Sequence, residues 1–283
     1  RNSGNSDATV NTPRLIASDV DGTLLTPQDR ITPRVRDAIV RAVGEGTEVA
    51  LATGRPHRWI FPVLDQLPIR PVCVTANGAV LYDSANDRVI RSHVLDPDTM
   101  AEILKSAREA FAPFGGISIG CERAGESAFD PEEESFVVDP NFLHTWEAQG
   151  FGVQPAHEVI AAPAVKLILR NESMTAPEMY EVLFPFIDPE VAHVTFSMNE
   201  GLLEVAAPGV TKALGVATLA EMHGVDQADV VCVGDMPNDI EMLQWAGLGV
   251  AMGNARPEVK DAADLVTGTN KESGVAQLLE RWF

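Results

Sequence analysis

The feature of this sequence that most constrains its fold is a repeated change from a short apolar run to a polar cluster. Helical segments separate these runs, as the spacing of Val35, Ile39 and Val43 shows. Strands that alternate with helices predict a parallel sheet with helices on its faces. The sequence therefore predicts an α/β fold. The apolar runs are residues 15–17, 49–52 and 230–233, and the polar clusters that follow them are residues 18–23, 53–55 and 234–239.

The middle of the 283-residue chain breaks this alternation. Residues 79–83 and 88–94 predict a hairpin, and residues 115–163 are rich in Gly, Pro and acidic residues and are expected to be mostly loops. The alternating pattern returns near Thr211. We therefore predict a second domain inserted into the first. The predicted parts are a loose tail (residues 1–13), a core (residues 14–84 and 196–283) and an inserted domain (residues 85–195).

The charge of the chain narrows the choice of partners. Forty-one acidic and 21 basic residues give a formal charge of −20, which repels nucleic acid and anionic membrane surfaces. We expect neither as a partner, and no apolar run is long enough to span a bilayer. The three cysteines have no repeated spacing, and two lie inside apolar runs. Free core thiols in a reducing, cytoplasmic location are therefore expected.

Four carboxylates are predicted to converge at one edge of the sheet, because ligands of open parallel sheets bind beyond the carboxyl ends of the strands. They belong to Asp19, Asp21, Asp235 and Asp239. Like charges this close repel each other unless a proton or a cation neutralises them. Hard oxygen ligands with no nearby His or Cys favour Mg²⁺, which commonly pairs carboxylates with a substrate phosphate.

Lys212 supports the same location independently. It lies in the first turn of a predicted helix that Thr211 caps. The helix macrodipole disfavours a cation at that end by roughly 0.3–1 kcal/mol. We therefore expect an anion within reach of this lysine.

The motifs at these positions resemble the haloacid dehalogenase-like hydrolase superfamily and, within it, the Cof-type sugar-phosphatase branch. Residues 19–24 (DVDGTL), residues 53–55 (TGR), Lys212 and residues 234–239 (GDMPND) resemble its four motifs in order, and residues 77–79 (NGA) resemble a short motif of this branch. The resemblance extends from about Leu15 to the end of the chain. It implies a Rossmann-like core with an α/β cap inserted between the second and third motifs.

The resemblance also implies a two-step mechanism. Asp19 would attack phosphorus and form an aspartyl-phosphate, which splits one difficult step into two. Asp21 would protonate the leaving alkoxide and then deprotonate the attacking water. Mg²⁺ would be held by Asp19, by the backbone carbonyl of Asp21 and by Asp235, with support from Asp239.

Other residues are expected to contact the phosphorylated substrate. Thr53 would hydrogen-bond the transferring phosphoryl group, and Lys212 would offset its charge. His57 follows closely but is more typical of a surface histidine. The expected substrate-binding residues are Gly54, Arg55, Asn77 and Asn238.

The function indicated by these residues is hydrolysis of small phosphomonoesters, such as sugar phosphates, by a monomer or small homo-oligomer. Two alternatives stay open. A phosphosugar mutase would use the same nucleophile and the same type of cap, and a non-catalytic protein could bind phosphorylated metabolites on the same fold. An ion pump with aspartyl-phosphate chemistry would need a membrane domain, which the sequence does not predict.

Overall fold

The structure is a computed structural model that describes residues 11–145, 150–196 and 200–283. Most of the predicted tail, residues 1–10, lies outside the described residues. The chain divides into two compact units. The first comprises the residues up to Gly54 together with Ile60–Asn77 and Thr211–Phe283, and the second comprises Arg55–Trp59 and Gly78–Val210.

Strands and helices alternate in the first unit, and strands predominate in much of the second. The strands are β1 (Leu15–Ser18), β2 (Glu48–Ala52), β3 (Val72–Thr75), β4 (Val80–Asp83), β5 (Arg88–Ser92), β6 (Ser118–Arg123), β7 (Phe136–Val138), β8 (Gly152–Val153), β9 (Ala164–Arg170), β10 (His193–Thr195), β11 (Leu202–Ala206), β12 (Val230–Gly234), β13 (Leu248–Ala251) and β14 (Leu265–Val266). The α-helices are α1 (Pro33–Gly44), α2 (Phe61–Leu64), α3 (Pro97–Phe111), α4 (Glu132–Ser135), α5 (Ala156–Val159), α6 (Ala176–Leu183), α7 (Lys212–Met222), α8 (Ile240–Trp245), α9 (Pro257–Ala262) and α10 (Gly274–Leu279).

The first unit is built on a parallel sheet in the order β14–β13–β12–β1–β2–β3. Ile16 on the central strand β1 lies opposite Val231 on one side and Val49 on the other. All four residues of β1 are buried, as expected for a parallel strand covered on both faces. Because β12, β1 and β2 are neighbours, their carboxyl ends lie side by side. The predicted α/β class is confirmed.

Local sequence signals set the ends of the helices in this unit. The Thr32 side chain accepts a hydrogen bond from the backbone N–H of Val35 at 3.3 Å, and Pro33 occupies the first position of α1. Thr211 caps α7 in the same way through the N–H of Leu214. The predicted start of the helix that carries Lys212 is therefore confirmed.

The second unit contains a largely antiparallel sheet in the order β10–β11–β9–β6–β7–β8 and the hairpin β4–β5. The predicted hairpin is confirmed. Helices α3 and α6 contribute Met100, Phe111 and Met179 to a buried core, and the strands contribute Cys121 and Leu167. These helices begin at side-chain caps, Asp96 for α3 and Thr175 for α6.

The expectation of loops in residues 115–163 misses three strands and two short α-helices among the described residues of that range, namely β6, β7, β8, α4 and α5. Strand β6 lies in the interior of the sheet, where it pairs with both β7 and β9. Ile119 and Cys121, two residues apart, both belong to the buried core. Gly115 and Gly116, both with positive φ, precede the strand, so the sequence does not show clearly where it begins.

The compact units differ in extent from the predicted domains. The hairpin places β4 with the second unit, and the pairing of β11 with β9 places β11 there too. The boundaries at residues 84 and 195 stay a prediction. The described helices do not include one with the length and apolar character needed to cross a bilayer. Cys73, Cys121 and Cys232 are free and buried, as predicted.

Candidate active site

A tight turn follows β1, with Asp19 directly before it and Asp21 inside it. It spans Val20–Leu24, and its Gly22 has φ +76°. A side chain at Gly22 would overlap the Asp235 carboxylate, so this position needs glycine for space as well as for conformation. The turn therefore brings β1 and the loop after β12 into direct contact. Asp19 is buried at its start, whereas the side chain of Asp21 is exposed.

Three of the four predicted carboxylates form a compact group. Asp19, Asp235 and Asp239 each offer an oxygen, and these oxygens lie within 4.8 Å of one another. All three side chains are buried. The set consists of hard oxygen donors only, which suits a cation such as Mg²⁺ or Ca²⁺ better than a softer metal. The group could hold a metal ion.

Lys212 is the cation of this group. Its Nζ lies 2.8 Å from Asp19 Oδ1 and 2.7 Å from Asp239 Oδ1, and the residue is only 1% exposed. The anion expected near this helix-terminal lysine is therefore a pair of carboxylates from the protein itself. Burial alone would lower the pKa of Lys212, but the two carboxylates outweigh it and raise that pKa.

Asp239 has hydrogen-bond partners at both of its oxygens. Oδ1 accepts from Lys212, and Oδ2 accepts from the backbone N–H groups of Asp235 at 3.0 Å and Met236 at 3.1 Å. Asp239 thus links the lysine to the loop that carries Asp235.

Sequence reasoning assigned no role to Thr23, yet its hydroxyl lies 3.0 Å from Asp235 Oδ1 and 3.4 Å from Asp19 Oδ2. A hydroxyl carries one proton, so it donates to one of these oxygens at a time.

The carboxylates carry more negative charge than one lysine offsets. Burial raises the pKa of Asp19 to about 7, against the opposing effect of Lys212. Burial likewise raises the pKa of Asp239 to about 6 and that of Asp235 above its usual value. Desolvation disfavours each charged form, so a bound cation would stabilise the ionised group.

Four of the predicted phosphate and substrate contacts lie together. The backbone N–H of Asn77 donates to the carbonyl of Thr53 at 3.0 Å, and Asn238 Nδ2 donates to Asn77 Oδ1 at 3.0 Å. A Cβ at Gly54 would lie 3.2 Å from the same Asn77 oxygen. Asn77 itself has φ +55°, a conformation that asparagine tolerates better than most residues. These residues follow β2, β3 and β12.

Arg55 belongs to the second unit, where its guanidinium donates to the Trp59 carbonyl at 3.5 Å. Its role in substrate binding stays a prediction. The expectation that His57 is a surface histidine is wrong, because the residue is 5% exposed. Its ring lies 5.4 Å from that of Tyr82, and it forms a hydrogen bond with the backbone of Ser127.

Comparison with known families gives a match over nearly the whole chain. A model of the haloacid dehalogenase-like hydrolases matches residues 16–279. Two relatives from Bacillus subtilis (strain 168) align end to end. The 5-amino-6-(5-phospho-D-ribitylamino)uracil phosphatase YcsE is 31% identical, with 95% of this chain and 95% of the relative covered. The putative phosphatase YxeH is 29% identical, with 94% and 97% covered.

Solved structures of similar proteins also match nearly the whole chain. The structure of BT1666 from Bacteroides thetaiotaomicron, described among phosphatases of the haloalkanoate superfamily, has a TM-score of 0.76 and is 25% identical, with 99% of this chain and 98% of that chain covered. TM0651 from Thermotoga maritima has a TM-score of 0.72 and is 26% identical, with 96% and 98% covered.

Proposed function

The chain belongs to the haloacid dehalogenase-like hydrolases, in their Cof-type branch, and is a phosphatase, and from this premise we propose that it hydrolyses small phosphomonoesters with Asp19 as nucleophile. The observation that carries the proposal is the contact between the Asp19 carboxylate and the buried Lys212 ammonium at the carboxyl end of the central strand. A nucleophile in such a position is oriented by its partner, and the lysine offsets charge near the reacting phosphoryl group.

In the proposed first step, the Asp19 carboxylate oxygen that does not contact Lys212 attacks phosphorus in line, and the bond from phosphorus to the ester oxygen breaks. Lys212 binds Oδ1 of Asp19, and this contact holds the carboxylate in a fixed orientation. The leaving oxygen takes a proton from Asp21, whose carboxyl is exposed beside the buried nucleophile. In the second step, Asp21 takes a proton from water as that water attacks the aspartyl-phosphate, which releases phosphate and restores Asp19.

We propose Mg²⁺ as the metal. Asp19, Asp235 and the backbone carbonyl of Asp21 would hold it, and Asp239 would support it. When bound, Mg²⁺ would offset the charges of carboxylate and phosphate and so let the two approach. The donor chemistry supports this choice, since the three grouped side chains supply only carboxylate oxygens.

The proposed substrate is a small phosphorylated metabolite such as a sugar phosphate. Three relatives at 27–31% identity are named as phosphatases of 5-amino-6-(5-phospho-D-ribitylamino)uracil, a phosphorylated sugar-alcohol derivative. Thr53, Gly54, Asn77 and Asn238 would contact its phosphoryl group or the atoms next to it, and Arg55 is kept as a proposed substrate-binding residue. We propose a reducing, cytoplasmic location, which suits three free thiols.

The test is hydrolysis of 4-nitrophenyl phosphate by the purified protein. Activity is expected with Mg²⁺ and is expected to disappear with EDTA. Asp19→Asn should lower kcat at least ~10³-fold, because an amide cannot act as the nucleophile. Asp37→Asn, an exposed change of the same chemistry on α1, should leave kcat unchanged. An Asp19→Asn protein with full activity would overturn the nucleophile assignment.

A further inference from the structure

Two side-chain amides from the last third of the chain bind the backbone of the Asp21 turn. Asn254 Nδ2 donates to the carbonyl of Gly22 at 2.9 Å, and Asn270 Nδ2 donates to the carbonyl of Leu25 at 2.9 Å. The first acceptor directly follows Asp21, and the second directly follows the end of the turn.

The two asparagines are also joined to each other. The backbone N–H of Asn270 donates to Asn254 Oδ1 at 3.0 Å. Both ends of the Asn254 amide are thus used, so its orientation is fixed by its partners. Asn254 follows β13, and Asn270 begins a short helical turn that Thr269 and Glu272 cap. The pair therefore ties two loops of the first unit to the Asp21 turn.

Two backbone hydrogen bonds close the turn itself. Leu24 N–H donates to the Asp19 carbonyl at 3.3 Å, and Leu25 N–H donates to the Val20 carbonyl at 3.0 Å. Asp21 has non-helical backbone angles, and its side chain is exposed. Because Asp21 lies inside the turn, a shift of the turn's backbone also shifts the Asp21 carboxyl.

We propose that Asn254 and Asn270 are positioning residues that hold the turn so that Asp21 can protonate the leaving group. The inference rests on the proposed role of Asp21. A general acid acts only within hydrogen-bond reach of the proton acceptor and typically contributes about 10²–10⁴-fold to the rate. Loss of the two amide bonds would let the turn shift and would cost part of that contribution.

The test compares two substrates that differ in the leaving group. Phenolate is a stronger base than 4-nitrophenolate, so hydrolysis of phenyl phosphate depends more on protonation by Asp21. We define the substrate ratio as kcat/KM for phenyl phosphate divided by kcat/KM for 4-nitrophenyl phosphate. In Asn254→Ala, this ratio should be roughly 10-fold lower than in the wild type. Asn270→Ala should change the ratio in the same direction. The double variant should change the ratio by less than the two single changes combined, because the two residues act as a unit.

Gln66→Ala is the matched control. The Gln66 side chain also uses both ends of its amide on backbone atoms, with Nε2 donating to the Asp29 carbonyl at 2.9 Å and Oε1 accepting from Ile31 N–H at 2.8 Å. Gln66 supports the loop beyond the turn, so Gln66→Ala should leave the ratio of the two kcat/KM values unchanged.

Hydrogen exchange measured by mass spectrometry tests the same inference without activity. The amides of Leu24 and Leu25 should exchange faster in Asn254→Ala than in the wild type or in Gln66→Ala. Unchanged exchange, or faster exchange with an unchanged substrate ratio, would overturn the positioning role. A wild-type protein that hydrolyses neither substrate would instead overturn the proposed function, and the exchange rates would still decide whether the asparagines hold the turn.

Discussion

At the scale of single residues, Lys212 is the group on which the buried carboxylates most depend. Its ammonium contacts Asp19 and Asp239, and all three side chains are almost fully buried. Removing one partner of a buried ion pair leaves an uncompensated charge, which typically costs about 3–5 kcal/mol. The lysine therefore has a structural role as well as the proposed catalytic one.

We predict that Lys212→Met, which removes the charge and keeps most of the length of the side chain, lowers the free energy of unfolding by about 3 kcal/mol at pH 8. The loss should shrink toward pH 5, because the remaining carboxyls have raised pKa values and become neutral as the pH falls. Urea denaturation measures both effects. Lys271→Met, an exposed control in the same unit, should change the value by less than about 0.5 kcal/mol. Equal losses in the two variants would contradict the prediction.

Some of the site could be predicted at this scale and some could not. The strand-end rule predicts that Asp19, Asp235 and Asp239 meet, because parallel strands bring their carboxyl ends to one edge. The contacts of Thr23 depend on the backbone path of a turn, which the sequence pattern does not define. Asn254 could have been found, since it follows the apolar run of β13 just as Asp19 follows that of β1.

At the scale of elements, how clearly a strand can be predicted from the sequence depends on how it is buried. Strands β1, β2 and β12 are buried on both faces and appear in the sequence as continuous apolar runs. Strand β6 is antiparallel to its neighbours, and its buried stretch Ile119–Cys121 is short and contains a glycine, so its signal is weaker. The glycines before it also obscure the boundary. Pairing partners distant in sequence, such as β11 and β9, are set by packing that no local pattern reveals.

The short helical turn His57–Trp59 leads to a prediction about pH. Burial lowers the pKa of His57 below its usual 6.5. The unfolded chain therefore takes up this proton at a higher pH than the folded chain. The contribution of neutral His57 to the free energy of unfolding is therefore fully present above about pH 6.5. It is lost as the pH falls toward the pKa of His57 in the folded protein. We expect His57→Gln to reduce the loss of unfolding free energy between pH 7 and pH 5.5.

Urea denaturation of the two proteins at both pH values measures this difference. One proton contributes a slope of at most about 1.4 kcal/mol per pH unit. His157→Gln is the control in the same unit, because the side chain of His157 is 80% exposed. An unchanged pH dependence in His57→Gln would contradict the assignment.

At the scale of the whole molecule, the formal charge of −20 bears on the metal. Any salt should weaken the self-repulsion of such a chain and stabilise it to some degree. The buried carboxylates add a local need for positive charge that one lysine does not meet. The general and the local effect can be separated, because only the local one requires a specific cation and specific ligands.

We predict that Mg²⁺ raises the melting temperature of the wild-type protein more than NaCl of equal ionic strength. A ligand that binds only the folded state adds roughly 2.7 kcal/mol at 100 times its Kd. Asp235→Asn should abolish the extra stabilisation by Mg²⁺, since it removes one of the proposed ligands. Asp261→Asn changes the net charge equally at an exposed position and should keep it. Calorimetry with both salts would contradict the proposed site if NaCl matched Mg²⁺ or if Asp235→Asn responded like the wild type.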